Sequence, residues 1–216
     1  MVSSAGFGKR FFDTTRGQVV ARLRRGACTV EELARALALT DNAIRSHLTT
    51  LERDGLVRQE GVRRGAGAGK PALLYELHPD AEPLLSSAYP PVLGVVLDVL
   101  VDELPEPRVE AMLHEVGRRL ARAAGAPASG TPAERVRAAA DALAALGGDV
   151  EVEPSADGFV IRGCGCPLSA TVSRRPEACR AVAALVAEIA GAPTRTLCEH
   201  GDRPRCRFAV TRLRPP

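Results

Sequence analysis

The chain has 216 residues with 29 Lys and Arg against 26 Asp and Glu, a formal net charge of +3, and 45% hydrophobic residues. Aromatics make up only 3% and Trp is absent, so aliphatic side chains and Ala must fill the core of one or two ordinary globular domains. The start, MVSSAGFGKRFFDTTRG, lacks the apolar core of a signal peptide, and the most apolar run, PPVLGVVLDVLV, is too short for a membrane span and contains Asp98. On these features neither a secreted nor a membrane-spanning protein is expected, and the chain is read as cytoplasmic. Charge is uneven along the chain. Residues 1–78 carry 13 basic and 8 acidic side chains, residues 79–216 carry 16 and 18. A basic first third is a pointer to nucleic acid or membrane.

In TTRGQVVARLRRG, Val19, Val20 and Leu23 share one helical face. Thr29 reads as the N-cap of TVEELARALA, with Glu31 and Glu32 in its first turn. Thr40 reads as the N-cap of a further helix in which Ile44, Leu48 and Leu51 form one buried stripe and which Gly55 ends. The strand-like segments LVRQEGV and ALLYEL follow, joined by the basic, Gly-rich RRGAGAGKP. Helix, two-helix turn and hairpin with a basic tip predict a winged helix-turn-helix. EELARALALTDNAIRSHLTTLERDGLV resembles bacterial winged-helix repressors of the broad ArsR/DeoR type. Rotation by 100° per residue sets Asn42, Ser46, Thr49 and Arg53 opposite the Ile44 stripe, with Arg45 on the flank. Asn and Arg suit adenine and guanine edges, and Thr40 at the helix N-terminus suits a phosphate. Arg63, Arg64 and Lys70 of the wing would meet phosphates or the minor groove. The candidate DNA-binding set is therefore Thr40, Asn42, Arg45, Ser46, Thr49, Arg63, Arg64 and Lys70. A solvated polar face on a protein-interaction domain is the bland alternative.

The Pro-rich ELHPDAEPLLSSAYPP reads as a linker or capped turn. VLGVVLDVLVDEL is apolar almost all round, as a helix buried against something, such as a second copy of itself, would be. In PRVEAMLHEVGRRLARAAG, Val109, Met112, Leu113, Val116 and Leu120 repeat along one expected core stripe, and His114 lies just off it. Thr131, Pro132 and Glu134 begin another helix with a capping box. This region is expected to carry dimer contacts, because operators are commonly read by two-fold dimers.

DVEVEPSADGFVIRGC reads as a hairpin, PEACRAVAALVAEIAG as a helix and TRTLCEHGDRPRCRFAVTRL as a second hairpin. The predicted fold class is α+β: a winged helix-turn-helix over 1–78, linker and dimerisation helices over 79–147, and a small Cys-rich α/β sensor domain over 148–216. Five of six cysteines fall in the last segment. Cys179 opens a helix, where the dipole favours a thiolate, and Cys198 and Cys206 flank a turn and can converge. Arg162, Arg174, Arg175, Arg205 and Arg207 surround the set and are expected to lower the thiol pKa values. Four thiolates suit an iron–sulfur cluster or Zn²⁺. Cys28, alone near a helix start, reads as a small hydrophobe.

CPLSATVSRRPEAC followed by CEHGDRPRCRFAV is similar to the C-terminal half of the family of iron–sulfur regulators that includes the Suf-operon repressor. That resemblance implies a dimer with a winged-helix N-terminus and a [4Fe–4S] cluster, with Cys166, Cys179 and Cys206 as ligands. Cys198 is the first choice for the fourth, with Cys164 and His200 as alternatives. The function implied is a DNA-binding transcriptional regulator, a repressor, governed by the cluster. The alternative is a winged-helix regulator with a small-molecule effector domain stapled by zinc. An enzyme is not expected: there is no C-x-x-C, nucleophile elbow or dinucleotide fingerprint, and GAGAGKP has Pro71 where a P-loop needs Ser or Thr.

Overall fold

Threonine hydroxyls start the helices of the N-terminal part. The Thr14 Oγ1 accepts from the Gly17 N–H at 3.1 Å and begins α1 (Thr15–Leu23). Thr29 and Glu32 form a reciprocal capping box at the head of α2 (Val30–Leu37), and Thr40 accepts from the Ala43 N–H at the head of α3 (Asp41–Arg53). Each hydroxyl satisfies an N–H that the first turn leaves without a partner. The structure, a computed structural model, describes residues 10–64, 71–125 and 129–211. The chain divides into two units, residues 1–88 and 89–216.

In the first unit a three-stranded sheet completes the domain. Its order is β1 (Cys28–Thr29), β3 (Ala72–Leu77), β2 (Val57–Arg63), all antiparallel. Val19, Val20, Leu33, Ile44, Leu48 and Leu51 are almost fully buried in one core. Gly55, at φ +71, turns the chain from α3 into the wing. Cys28 is 2% exposed, its thiol donates to the Gly26 carbonyl, and burial raises its pKa, as suits a small core residue. The Pro-rich segment after β3 holds a short helix, α4 (Ala81–Leu84).

The second unit begins with α5 (Tyr89–Glu103), α6 (Glu106–Ala123) and α7 (Pro132–Ala145), the last started by the capping box of Thr131 and Glu134. An antiparallel sheet follows in the order β4 (Val150–Ser155), β5 (Gly158–Gly163), β7 (Arg207–Thr211), β6 (Thr194–Thr196). Between β5 and β6 lie α8 (Ser169–Val172) and α9 (Ala178–Ala190). Val136, Ala139 and Leu143 of α7 and Leu185, Val186 and Ile189 of α9 pack on Ile161, Phe208 and Val210 of the sheet. A second core joins Leu97, Val109 and Leu113 to Val172, Ala178, Cys179 and Ala181.

One helical reading needs correction. In α6 the buried positions are Val109, Leu113, Gly117 and Ala121, whereas Met112 and Val116 are exposed. The buried face follows the i, i+4 row because Gly117 lets the α9 backbone come close: a Cβ there would lie 2.3 Å from the Ala181 carbonyl oxygen. The apolar α5, expected to be buried against something such as a second copy of itself, is little covered by its own unit, with Leu97 as its only residue buried there. None of the described helices is long and apolar enough to cross a membrane.

Candidate nucleic-acid interface and thiol cluster

Burial of Ile44, Leu48 and Leu51 fixes the roll of α3, so the opposite side faces outward. Thr40, Asn42, Arg45, Ser46 and Thr49 are all exposed there. The Thr49 hydroxyl donates to the Arg45 carbonyl at 3.0 Å. Among the described residues no hydrogen bond engages the side chains of Asn42 or Arg45. His47 is half-buried, between the two faces. On the wing, Arg58 pairs with Glu76 across the strands and Arg63 pairs with Glu32 of the α2 capping box. Arg63 is thus anchored to the helical part of the domain, while the adjacent Arg64 is exposed. Lys70 lies outside the described residues.

The thiols reach one place from three separate segments. Cys166 follows β5, Cys179 lies in the first turn of α9, Cys198 follows β6, and Cys206 directly precedes β7. Cys179 and Cys206 are buried, Cys166 and Cys198 half-buried. Cys206 belongs to the sheet core and Cys179 to the second core, while Cys166 and Cys198 pack against both. The structure therefore brings Cys166, Cys179, Cys198 and Cys206 together, beyond the end of β5, before the start of β7 and at the first turn of α9. Cys164 is exposed and stays outside the group. His200 joins its edge, with Nε2 at 3.4 Å from the Cys179 sulfur.

The thiols determine one another's protonation. Cys198 is in hydrogen-bonding contact with Cys179 and Cys206, which hold its pKa down to about 3. The Arg207 N–H, 3.3 Å from its sulfur, adds to this. Contact with Cys206 lowers Cys166 to about 7. Cys179 and Cys206 are raised, first by those same contacts and then by burial. The mutual contacts thus lower Cys166 and Cys198 and raise Cys179 and Cys206. The expected role of the surrounding arginines is corrected here. Arg162 pairs with Glu153, and Arg174 and Arg175 pair with Asp98 on α5. Their guanidinium charge is taken up by carboxylates, and the contribution of Arg207 is its backbone N–H.

As the side chains stand, no group of three or more His, Cys, Asp or Glu among the described residues is arranged so that it could hold a metal ion. The sulfurs are engaged with one another instead. Beside them is an apolar cavity of about 310 Å³, walled by Cys166, Cys179 and Cys206 together with Leu97, Leu113 and Phe208. This volume lies at the lower end of the range of small-ligand sites.

The sequence reading passed over two residues that position the group. Asp98 ties α5 to the segment between Cys166 and Cys179, and its signal was the single charge in an apolar run. Gly117 sets the approach of α9, and its signal was a glycine in the same i, i+4 row as Leu113 and Ala121. Arg180 adds a further tie from α9 to α6 through Glu106, at 3.0 Å.

In comparison with known proteins, residues 13–60 match a family described as a helix-turn-helix domain. The matched span runs from the approach to α1 through α3 into β2. A search of curated proteins finds no match to the chain.

Proposed function

We propose that this protein is a DNA-binding transcriptional repressor, acting as a homodimer, whose operator affinity is set by an iron–sulfur cluster held by Cys166, Cys179, Cys198 and Cys206. The DNA-binding half of this reading rests on the helix-turn-helix match and on the exposed polar side of α3. Asn42, Arg45, Ser46 and Thr49 would read base edges, while Thr40, Arg64 and Lys70 would meet phosphates. Arg63 would reach the backbone only by loosening its pair with Glu32.

The observation that carries the cluster reading is the meeting of four thiols, distant in sequence, at one point of the second unit. Their chemistry fits: thiolates are the ligands iron–sulfur clusters require, and contacts within the group lower the pKa of Cys166 and Cys198. The cavity behind them adds room and an apolar wall, which favours a group larger than a single ion. To take up a metal the sulfurs would have to give up their mutual hydrogen bonds and release protons. A bound cluster would supply a redox-labile centre. The protein's part is to tie the start of α9 to the strand ends, so that loss of the centre frees both.

Anaerobic iron, sulfide and zinc analysis tests this reading on wild type and Cys166→Ser, combined with operator binding of each form by fluorescence anisotropy. Iron and sulfide in wild type, lost in the variant, with different DNA affinity in the two forms, is the expected result. Stoichiometric zinc without iron or sulfide would replace the cluster with a structural staple. Absence of all three after anaerobic reconstitution would end the cofactor reading.

A further inference from the structure

We propose that the metal-free thiol group is a site of reversible oxidation by hydroperoxides, and that it closes as two specific disulfides, Cys166–Cys206 and Cys179–Cys198. The order in which the sulfurs touch decides the pairing. Cys206 is in hydrogen-bonding contact with Cys166 and Cys198, and Cys198 with Cys206 and Cys179. Cys166 makes such contact with Cys206, and Cys179 with Cys198. The contacts therefore run as an open chain from Cys166 through Cys206 and Cys198 to Cys179. Joining the two end pairs leaves no sulfur single. Joining the middle pair strands both ends.

The backbone builds this order. Beyond β6 the Leu197 N–H donates to the Arg207 carbonyl at 2.7 Å, and Glu199 and Arg205 exchange backbone hydrogen bonds at 3.0 Å. Cys198 and Cys206 stand directly opposite each other between these pairs, in a non-hydrogen-bonded position where Cα atoms lie about 4.5 Å apart. Disulfides span Cα separations of roughly 4.4–6.8 Å, so a direct Cys198–Cys206 link sits at the short limit and is strained. On the other side of Cys206, the Gly163 N–H donates to its carbonyl at 2.7 Å, and its own N–H reaches the Gly165 carbonyl at 3.4 Å. That lays the residue before Cys166 against Cys206. Each strand cysteine thus has a partner off the ladder, Cys166 for Cys206 and Cys179 for Cys198.

Access follows the same pairing. Cys166 and Cys198 are half-buried and open to a small oxidant, while Cys179 and Cys206 are buried behind them. Each reachable sulfur has a buried one as its resolving partner. The reachable thiol attacks one oxygen of the hydroperoxide, the O–O bond breaks, an alcohol (water, for hydrogen peroxide) leaves, and a sulfenic acid remains. The partner thiol then attacks that sulfur, the S–O bond breaks and water leaves with the thiol proton. Per disulfide, two thiols give up two electrons and two protons, and one hydroperoxide is reduced to alcohol and water. With both bonds formed, none of the four sulfurs is a thiolate that could bind iron, so this form takes up no metal until a dithiol reduces it.

This oxidation uses the site of the proposed function but depends on the meeting of the thiols alone. The test takes the full chain, metal-free and reduced, with Cys164→Ser at the exposed position outside the group. It is treated with a small excess of hydrogen peroxide, blocked with N-ethylmaleimide and cut with trypsin without reduction. Cleavage after Arg174, Arg180 and Arg205 puts Cys166, Cys179, Cys198 and Cys206 on four separate peptides. The expected result is an intact mass lower by about 4 Da before blocking, linked peptides joining Cys166 to Cys206 and Cys179 to Cys198, and recovery of all four thiols with dithiothreitol. The same treatment in denaturant is the reference, since loop closure there favours the near pair Cys198–Cys206. Wild type, with the Cys166 link read from fragment masses, serves if the variant fails to fold by circular dichroism. A native chain whose main link is Cys198–Cys206 or Cys166–Cys179, or which passes to sulfinic acid without disulfides, would overturn the inference. The two expected links in a chain that takes up neither iron nor sulfide would sink the cluster and keep this site. Cluster uptake by a chain with other links would do the reverse.

Discussion

Gly117→Ala adds one methyl group to a surface where none fits. The new Cβ would lie 2.3 Å from the Ala181 carbonyl oxygen, 2.6 Å from the Ala184 Cβ and 2.7 Å from the Leu185 nitrogen. Two of the three are backbone atoms, so no rotamer change relieves the contact. Restoring ordinary separation requires α6 and α9 to part by roughly 1 Å, and overpacking of this kind costs about 1–3 kcal/mol. Because two of the contacts are with backbone, this case lies in the upper half of that range, and after the roughly 1 kcal/mol that the higher helix propensity of Ala returns, the net loss is about 1–2 kcal/mol. For a unit of this size that lowers the melting temperature by about 3–10 °C. Gly94→Ala on α5 is the internal control. Its Cβ meets nothing within 4 Å, so propensity acts alone and stability rises by up to about 1 kcal/mol. Thermal unfolding of the metal-free protein followed by circular dichroism measures both. A Gly117→Ala protein as stable as wild type would mean that α6 and α9 do not approach this closely. The packing that positions Cys179 would then be wrong.

Removing the α2 cap with Thr29→Ala should cost about 1 kcal/mol in urea unfolding, since the Glu32 N–H loses its partner. Glu32 has its pKa lowered, first by the Thr29 N–H and also by Arg63. Its contribution to stability is therefore complete above the ordinary glutamate range and fades as pH falls from about 5 through the depressed value. Glu32→Gln keeps the capping hydrogen bond and should remove part of that acid dependence; an unchanged pH profile would refute the assignment. Asn42→Ala should weaken operator binding by about 1–3 kcal/mol and relax base preference, whereas Arg64→Ala should weaken all sequences alike and reduce the salt slope by about 1. Cys164→Ser should retain wild-type iron content on anaerobic reconstitution and Cys198→Ser should lose it, and the reverse pattern would exchange their roles.

The helix starts were legible because a threonine hydroxyl beside an apolar stripe has few other uses. Thr29, Thr40 and Thr131 all cap where the spacing put them. The outward side of α3 followed from the same periodicity, since burying Ile44 leaves Asn42 and Ser46 no inward option. The roll of α6 was not legible. A count of apolar residues favours Met112 and Val116, but the close approach of α9 at Gly117 decides the face, and a glycine is silent in any hydrophobic pattern. The arginines near the cysteines misled for a related reason. Closeness in sequence says nothing about which carboxylate a long side chain will reach, and Asp98 lies 76 and 77 positions from its partners. Cys164 and Cys166 are two positions apart, yet one is exposed and the other joins the thiol group.

Cys166 and Cys198 each touch both apolar clusters of the second unit, so they sit on the seam along which that unit would most easily part. Oxidising or ligating a sulfur inside a single cluster would disturb one side of the unit. At the seam the same event alters cohesion between the sheet layer and the helical layer above it. A small inorganic change there would become a change in how firmly the unit holds together, with no moving lid or long-range relay.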